Sequence, residues 1–351
     1  MVCGRSSIFK GVQAVRSTFS LSVGALLLSA SPVLAQAGPA TPAQQDENSQ
    51  TVADSKGKWI TLGTRGGPVT SPTRSQPANL LVFNGKKYLV DVGDGASGQS
   101  GKAGVQTAAL DGIFISHLHF DHTAGLAGIL GLRFQTNAPK TFTIYGPPGT
   151  QEMVDGLLAS MTPGATANYG VPGAPVQDHR TGIEVVEFRD GAKTNVNGMN
   201  VSVRSNSHYS FVPGSDLEKR FQSLSFRFDL PGRSIVYTGD TGPSSAVEEL
   251  ARDADLLVAE MMDVPLIVAT VRRNNPRMPE QAAKGMEAHL TKHHLLPKDV
   301  GQLAARAGVK AVIVTHFAGA ETDTPDYFEY LRTIADHYDG PVIIANDMDV
   351  F

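Results

Sequence analysis

At 351 residues the chain is long for one domain, yet α/β architectures of this size often stay one compact unit, so one catalytic domain with appendages is expected. Its single cysteine, Cys3, leaves the rest of the chain without disulfides or thiolate metal ligands, so any metal site must use His and carboxylates. Thirty Lys and Arg against 34 Asp and Glu give a net charge of −4, and about −7 once Arg5, Lys10 and Arg16 are removed, which makes nucleic acid an unlikely partner because it binds largely through Lys and Arg.

In chain order, those three basic residues precede an apolar stretch, Leu21 to Ala30, that ends near the small-residue site Ala35-Gln36-Ala37. Residues 1–37 read as a secretory signal peptide cleaved after Ala37. The run is too short to span a bilayer and no other stretch approaches roughly 20 apolar residues. A soluble periplasmic or secreted protein without a membrane span is expected. Residues 38–56 are Pro, Ala, Gln, Asp and Ser with almost no large apolar side chain, a mobile linker, and residues 57–351 form the catalytic domain with structure beginning at Trp59.

Short apolar runs predict strands over 80–83, 87–92, 112–116, 141–145, 199–204, 223–229, 234–238, 256–259, 311–315 and 342–345. Amphipathic stretches predict helices over 124–132, 150–160, 244–252, 297–307 and 325–338. Pro163 to Asp178 is rich in Pro, Gly and Ala and reads as a surface loop, a candidate lid over substrate. A second excursion, Arg272 to Met286, carries Arg272, Arg273, Arg277 and Lys284; it is either a solvated segment or a basic rim for anionic substrates.

The chemistry concentrates at I-F-I-S-H-L-H-F-D-H, residues 113–122, where an apolar strand runs straight into four metal-binding groups. Strand ends are where α/β folds place reactive side chains. His117 and His119 are one residue apart, so an extended backbone turns both imidazoles to one side, where they can bind one ion. Asp121 and His122 follow the turn and aim at a neighbouring position. One cluster thus supplies halves of two sites, and each catalytic zinc needs about three protein ligands. Asp240 ends the strand S-I-V-Y-T-G-D-T, His316 ends A-V-I-V-T-H-F, and His208 follows the strand around Val201 and Val203. Singly each has another reading: Asp240 as cap of a helix beginning near Ser244, the two histidines as hydrogen-bonded core residues.

Taken in order, H-L-H-F-D-H, His208, T-G-D-T and T-H-F resemble the metallo-β-lactamase superfamily, and within it the ribonuclease Z and arylsulfatase-like branch. Further matches are L-G-T-R-G-G-P at 62–68, D-H-T-A-G-L-A-G-I-L-G-L-R at 121–133 and T-I-Y-G-P-P-G at 143–149. The resemblance implies an α/β fold, a four-layer αββα sandwich with the site at one edge of the paired sheets. It implies two Zn²⁺, with Mn²⁺ or Fe²⁺ as substitutes: His117, His119 and His208 hold the first, Asp121, His122 and His316 the second, and Asp240 bridges them. It also implies a catalytic histidine before the last ligand. His294, 22 residues before His316, has the matching spacing, with His289 and His293 as rivals. The branch shows Ser-Thr or Leu-Thr after this histidine; Leu295-Leu296 follows His294, whereas Leu290-Thr291 follows His289. Glu260 either orients His294 or sits at the rim, and Asp91 and Asp94 read as supporting or turn residues rather than ligands.

Catalytic roles thus fall to Asp121, His294 and Glu260, with water of lowered pKa between the two ions as nucleophile. The expected activity is that of an exported hydrolase cleaving an ester-like bond of a small molecule, a carboxylic ester, lactone or aryl sulfate, anionic or polarised. Ribonuclease Z, which processes the 3′ end of precursor tRNA, is the alternative. The export signal and acidic charge disfavour it, as does the scarcity of basic residues between Thr150 and Asp190, only Arg180 and Arg189. A non-catalytic exported metal-binding protein is a third reading, and a homodimer is left open.

Overall fold

The computed structural model describes residues 57–138, 141–173, 177–320 and 326–351; the expected signal peptide and linker lie outside them, as do residues 174–176 of the Pro163–Asp178 segment. Two sheets are each built as an antiparallel meander continued by parallel strands. The first runs β1 (Lys58–Gly63), β2 (Ala78–Phe83), β3 (Lys86–Val92), β4 (Gly112–Phe114), β5 (Phe142–Gly146) and β6 (Ile183–Glu187), in that spatial order. Pairing is antiparallel from β1 to β3 and parallel from β3 to β6. Asn84-Gly85 closes the β2–β3 hairpin with both residues at positive φ, 49° and 71°, the two-residue turn whose twist suits a hairpin.

The second sheet contains β7 (Lys193–Val196), β8 (Met199–Ser205), β9 (Leu224–Leu230), β10 (Arg233–Tyr237), β11 (Leu256–Met262), β12 (Val312–Ala318) and β13 (Val342–Ile344), ordered from β13 back to β7. It too is antiparallel from β7 to β10 and parallel from β10 to β13.

Both sheets bury their facing sides against each other. Trp59, Tyr88 and Phe114 of the first sheet meet Phe226, Phe228 and Tyr237 of the second, with the Phe114 and Phe228 rings edge to face at 5.2 Å. On the outer face of the first sheet, Leu80, Leu89, Ile113 and Ile144 pack with Leu126, Ile129, Val154 and Leu158 of the helices Leu126–Gln135 and Thr150–Ala167. On the outer face of the second, Val236, Leu257 and Val314 pack with Val247, Val300, Leu303 and Ile334 of the helices Ser245–Leu250, Pro297–Ala307 and Phe328–Ala335. The αββα sandwich follows from these three apolar interfaces.

Helix reaches into two segments read from sequence as a loop and an excursion, taking only the first five residues of Pro163–Asp178, whose other described residues are turn or without regular structure. The helix from Thr150 continues to Ala167 through Pro163. Most of Arg272–Met286 belongs to a helical hairpin, Val264–Asn274 and Glu280–His293, whose first helix is capped by the Asp263 side chain accepting from Leu266 N. The edge strands β6 and β7 escape sequence reading because I-E-V-V-E and K-T-N-V bury little. Among the described residues no helix is long and apolar enough to cross a membrane.

Candidate metal centre

The parallel ladder of β4 ends at Phe114, the chain bends at Ser116, and His119 is extended (φ −65°, ψ 148°) just before the short helix Phe120–Thr123. His117 lies between that bend and His119, which projects from extended backbone, and Asp121 and His122 project from the first helical turn. The other contributors arrive from the second sheet: His208 after β8, Asp240 after β10, Glu260 within β11 and His316 within β12. A bulge delivers His316. Ala259 pairs with Val314 and Met261 with Phe317, so Glu260 alone opposes Thr315 and His316. The extra residue, His316, takes a left-handed φ of 43°, a costly conformation outside glycine that functional sites tolerate.

All seven residues expected to bind metal come together. His117, His119 and His208 form one group and Asp121, His122, Asp240 and His316 another, with donor atoms in each within 4.8 Å of one another. In the first, His119 Nδ1 lies 3.1 Å from His117 Nε2 and 3.0 Å from His208 Nε2. In the second, His316 Nε2 lies 3.4 Å from Asp121 Oδ2 and 3.3 Å from Asp240 Oδ2, and His122 Nε2 lies 3.3 Å from Asp240 Oδ1. Asp240 Oδ2 is also 3.9 Å from both His117 Nε2 and His208 Nε2, so one carboxylate stands between the two groups.

The rings are oriented from behind. His122 Nδ1 donates to Asp91 Oδ2 at 2.8 Å, which leaves Nε2 facing the centre. Asp91, fully buried, also accepts from Ser116 N, Ser116 Oγ and Tyr237 Oη, each at 2.7 Å. His117 Nδ1 donates to Ser116 Oγ at 3.0 Å and His208 Nδ1 to the His293 carbonyl at 3.2 Å. Sequence left Asp91 as a supporting or a turn residue; its bonds, which come from separate strands or their ends, make it a support of His122.

The charge pattern tests whether cations fit. Burial holds the His117 and His119 imidazoles below the ordinary range and His208 at about 3, so the first group is three neutral nitrogens with lone pairs. Burial opposes charge on His122, but Asp240, Asp121 and Asp91 raise it well above the usual value. Burial likewise pushes the Asp121 carboxyl up, yet His122 and His316 bring it down to about 2. The second group thus favours a positive charge at its centre. His122 Nε2 and Asp240 Oδ1 are buried with no hydrogen-bond partner, a state that costs about 1–3 kcal/mol per group unless something satisfies them. Nitrogen and oxygen donors at these positions suit zinc or a similar divalent ion.

His294 is the histidine beside this centre, grouped with His208 and Asp240. Its Nδ1 lies 2.8 Å from Glu260 Oε2 and 3.1 Å from Oε1, and Glu260 Oε1 accepts from Thr241 N at 2.6 Å. Burial works against the charged imidazole, but Glu260, through its charge and hydrogen bond, holds His294 at about 9. Burial pushes the Glu260 carboxyl up while His294 pulls it down; with both oxygens bonded, the imidazolium–carboxylate pair is the form we adopt. The rivals lie elsewhere: His293 Nδ1 bonds the Ser207 carbonyl, and His289 is exposed, 3.3 Å from Ser210 Oγ.

Three neighbours were not legible as site residues. Tyr209 Oη accepts from Leu118 N at 3.1 Å, with its ring 5.3 Å from that of His119. Phe120, between two metal-binding residues, is 85% exposed. Gly67 lies so close to Asp121 that a Cβ there would fall 2.1 Å from Oδ2. The L-G-T-R-G-G-P and H-F-D-H runs carried the signal for the last two.

With this geometry in place, the chain can be compared with known proteins. Residues 86–317 match the family model described as beta-lactamase superfamily domain. Ribonuclease Z of Mycobacterium marinum is 29% identical over 292 residues, covering 82% of this chain and 96% of that protein. Ribonuclease Z of Mycobacterium avium is 30% identical over 264 residues, covering 74% and 86%. The crystal structure of human tRNase Z, short form, superposes with a TM-score of 0.56 at 21% identity over 84% of this chain and 98% of that one, a likeness of fold. These relatives overturn two expectations: hydrolysis of a carboxylic ester, lactone or aryl sulfate, and a partner set without nucleic acid. The charge argument fails because net charge averages over the whole chain, whereas binding depends on where the positive residues stand.

Proposed function

This chain belongs to the beta-lactamase superfamily, and from that premise we propose that it is a phosphodiesterase of the ribonuclease Z kind that hydrolyses RNA with two zinc ions. The observation that carries the reading is Asp240 standing between two donor groups with His294 on the same side. His117, His119 and His208 would hold one ion, Asp121, His122 and His316 the other, and Asp240 would contact both. When bound, two such ions act as Lewis acids on a phosphoryl oxygen and lower the pKa of water enough to make a nucleophile near neutral pH. The substrate class fits the charge of the site: an anionic phosphodiester gains where the cations outnumber the two carboxylates.

The chain's own residues do the rest. Glu260 accepts the hydrogen bond of the His294 Nδ1–H, so the second proton of the imidazolium sits on Nε2. With its pKa at about 9, His294 is protonated at neutral pH and donates that proton to the leaving oxygen. Asp91 keeps His122 in the tautomer that presents Nε2.

The test is hydrolysis of bis(p-nitrophenyl) phosphate and of a 3′-extended RNA by zinc-loaded protein, with metal analysis. Phosphodiester turnover lost on chelation and restored by zinc is expected; two bound ions with turnover of carboxylic esters or aryl sulfates alone would overturn the proposal. Export directed by residues 1–37 is a separate proposal, checked by N-terminal sequencing of the mature protein, with Gly38 as the expected first residue.

A further inference from the structure

We infer that the helical hairpin Val264–His293 is a docking surface for the phosphate backbone of RNA, leading the strand to the metal centre. The inference rests on the phosphodiesterase reading. Between residues 264 and 293 stand five Arg and Lys against two Glu, in a chain whose overall charge is −4. Elsewhere some surface cations are paired, Arg204 with Asp190 and Glu249, Arg220 with Glu152, Arg306 with Glu248, Lys310 with Asp255 and Arg332 with Glu329, while Lys102, Arg180, Arg189, Lys193, Arg252 and Lys298 are exposed without a carboxylate within 4.0 Å among the described residues and come from separate parts of the chain. On the hairpin only Arg272 is paired, with Glu280 at 2.6 Å. Arg273, Arg277, Lys284 and Lys292 are exposed and, among the described residues, have no carboxylate within 4.0 Å.

Their placement is directional. The helix Glu280–His293 buries Ala283 and His293 and packs Met286 and Leu290 against Met262, Val264, Val268 and Ala318. At about 100° per residue, Lys284, Lys292 and His289 fall within an arc of roughly 140° that leaves out the apolar face, with Glu280 and Glu287 next to the Lys284 end of that arc and Lys292 and His289 at its other end. Lys284 and Lys292 are about 12 Å apart along the axis. The stripe ends at the site: His289 meets Ser210, whose neighbour Tyr209 packs on His119, and the residue after the helix is His294. Exposed cations without carboxylate partners, on a hairpin whose second helix ends beside a centre suited to phosphodiesters, select a polyanion whose charges repeat along a strand.

The experiment compares the full metal-loaded protein with the variant Arg273→Gln, Arg277→Gln, Lys284→Gln, Lys292→Gln, measuring KM for RNA between 50 and 200 mM salt, turnover of bis(p-nitrophenyl) phosphate, and binding to phosphatidylserine vesicles. Each lost contact should flatten the logarithmic salt dependence by about 0.7, so the variant should lose about 2–3 in slope and 10- to 100-fold in RNA affinity. Small-substrate turnover should stay within about twofold, which also reports an intact fold. RNA binding and slope unchanged in the variant would overturn the inference while leaving the phosphodiesterase reading standing. A wild type that binds vesicles but not RNA would overturn it too. If wild type hydrolyses neither phosphodiester, the phosphodiesterase reading falls and this inference falls with it.

Discussion

Replacing Glu260 with Gln keeps the shape of the side chain and removes the charge that holds the proton on His294. With Glu260, the imidazole titrates at about 9, against an ordinary value of 6.5 and in spite of burial, which lowers it. Without that charge it should fall to 6.5 or below. The pKa is raised in the native protein, so a step needing the protonated ring runs fully at low pH and fades as pH rises through the folded value. At pH 8 the protonated fraction drops from about nine-tenths to about 3%, a loss of roughly 30-fold, whereas at pH 6 the loss is under about twofold. The assay is kcat/KM against pH with two phosphodiesters, one leaving as an alkoxide and one as p-nitrophenolate. The alkoxide needs the proton and should show the shifted limb; the phenolate should hardly respond. A loss that is independent of pH, or equal for both leaving groups, would refute the role given to His294 and Glu260.

Further outcomes follow from the metal centre and its supports. Asp240→Asn removes the carboxylate shared by the two donor groups and should reduce bound zinc from two ions per chain to at most one, read by metal analysis of dialysed protein. Asp91→Asn weakens the hold on His122 and should lower metal affinity by about 10- to 100-fold, measured by competition with a chromogenic chelator. Gly67→Ala should displace Asp121, because the added Cβ would sit 2.1 Å from Oδ2; metal content and turnover should both fall while the circular dichroism spectrum is kept. In the core between the sheets, Phe228→Ala should cost about 3–5 kcal/mol, read by denaturant unfolding, and a cost under 1 kcal/mol would contradict the packing described.

Local pattern carried much of the structure. The helix Pro297–Ala307 is legible to the residue because Pro297 opens it and Gly308, at φ 65°, ends it. The buried strands are legible as apolar runs, and His117 to His122 as a cluster improbable in a chain with ten histidines. The hairpin Val264–His293 is less so. Its capping Asp263 and first-turn Pro265 are visible in sequence, but the run of Arg and Asn after them reads as polar loop until the small apolar cluster around Met262 and Val268 is in place.

In sequence, the order of the H-L-H-F-D-H, T-G-D-T and T-H-F motifs carried the resemblance to the superfamily, and that resemblance implied the αββα sandwich and the metal-binding residues. Tertiary structure decided what distance along the chain conceals. Folding sets Glu260 against His294 and not His289, lifts His316 into the centre through a bulge, and closes Gly67 on Asp121. It also decided where charge stands. Four cations without acidic partners among the described residues gather on one hairpin of an acidic chain, and electrostatic recognition over a Debye length of about 10 Å responds to that local arrangement rather than to the sum.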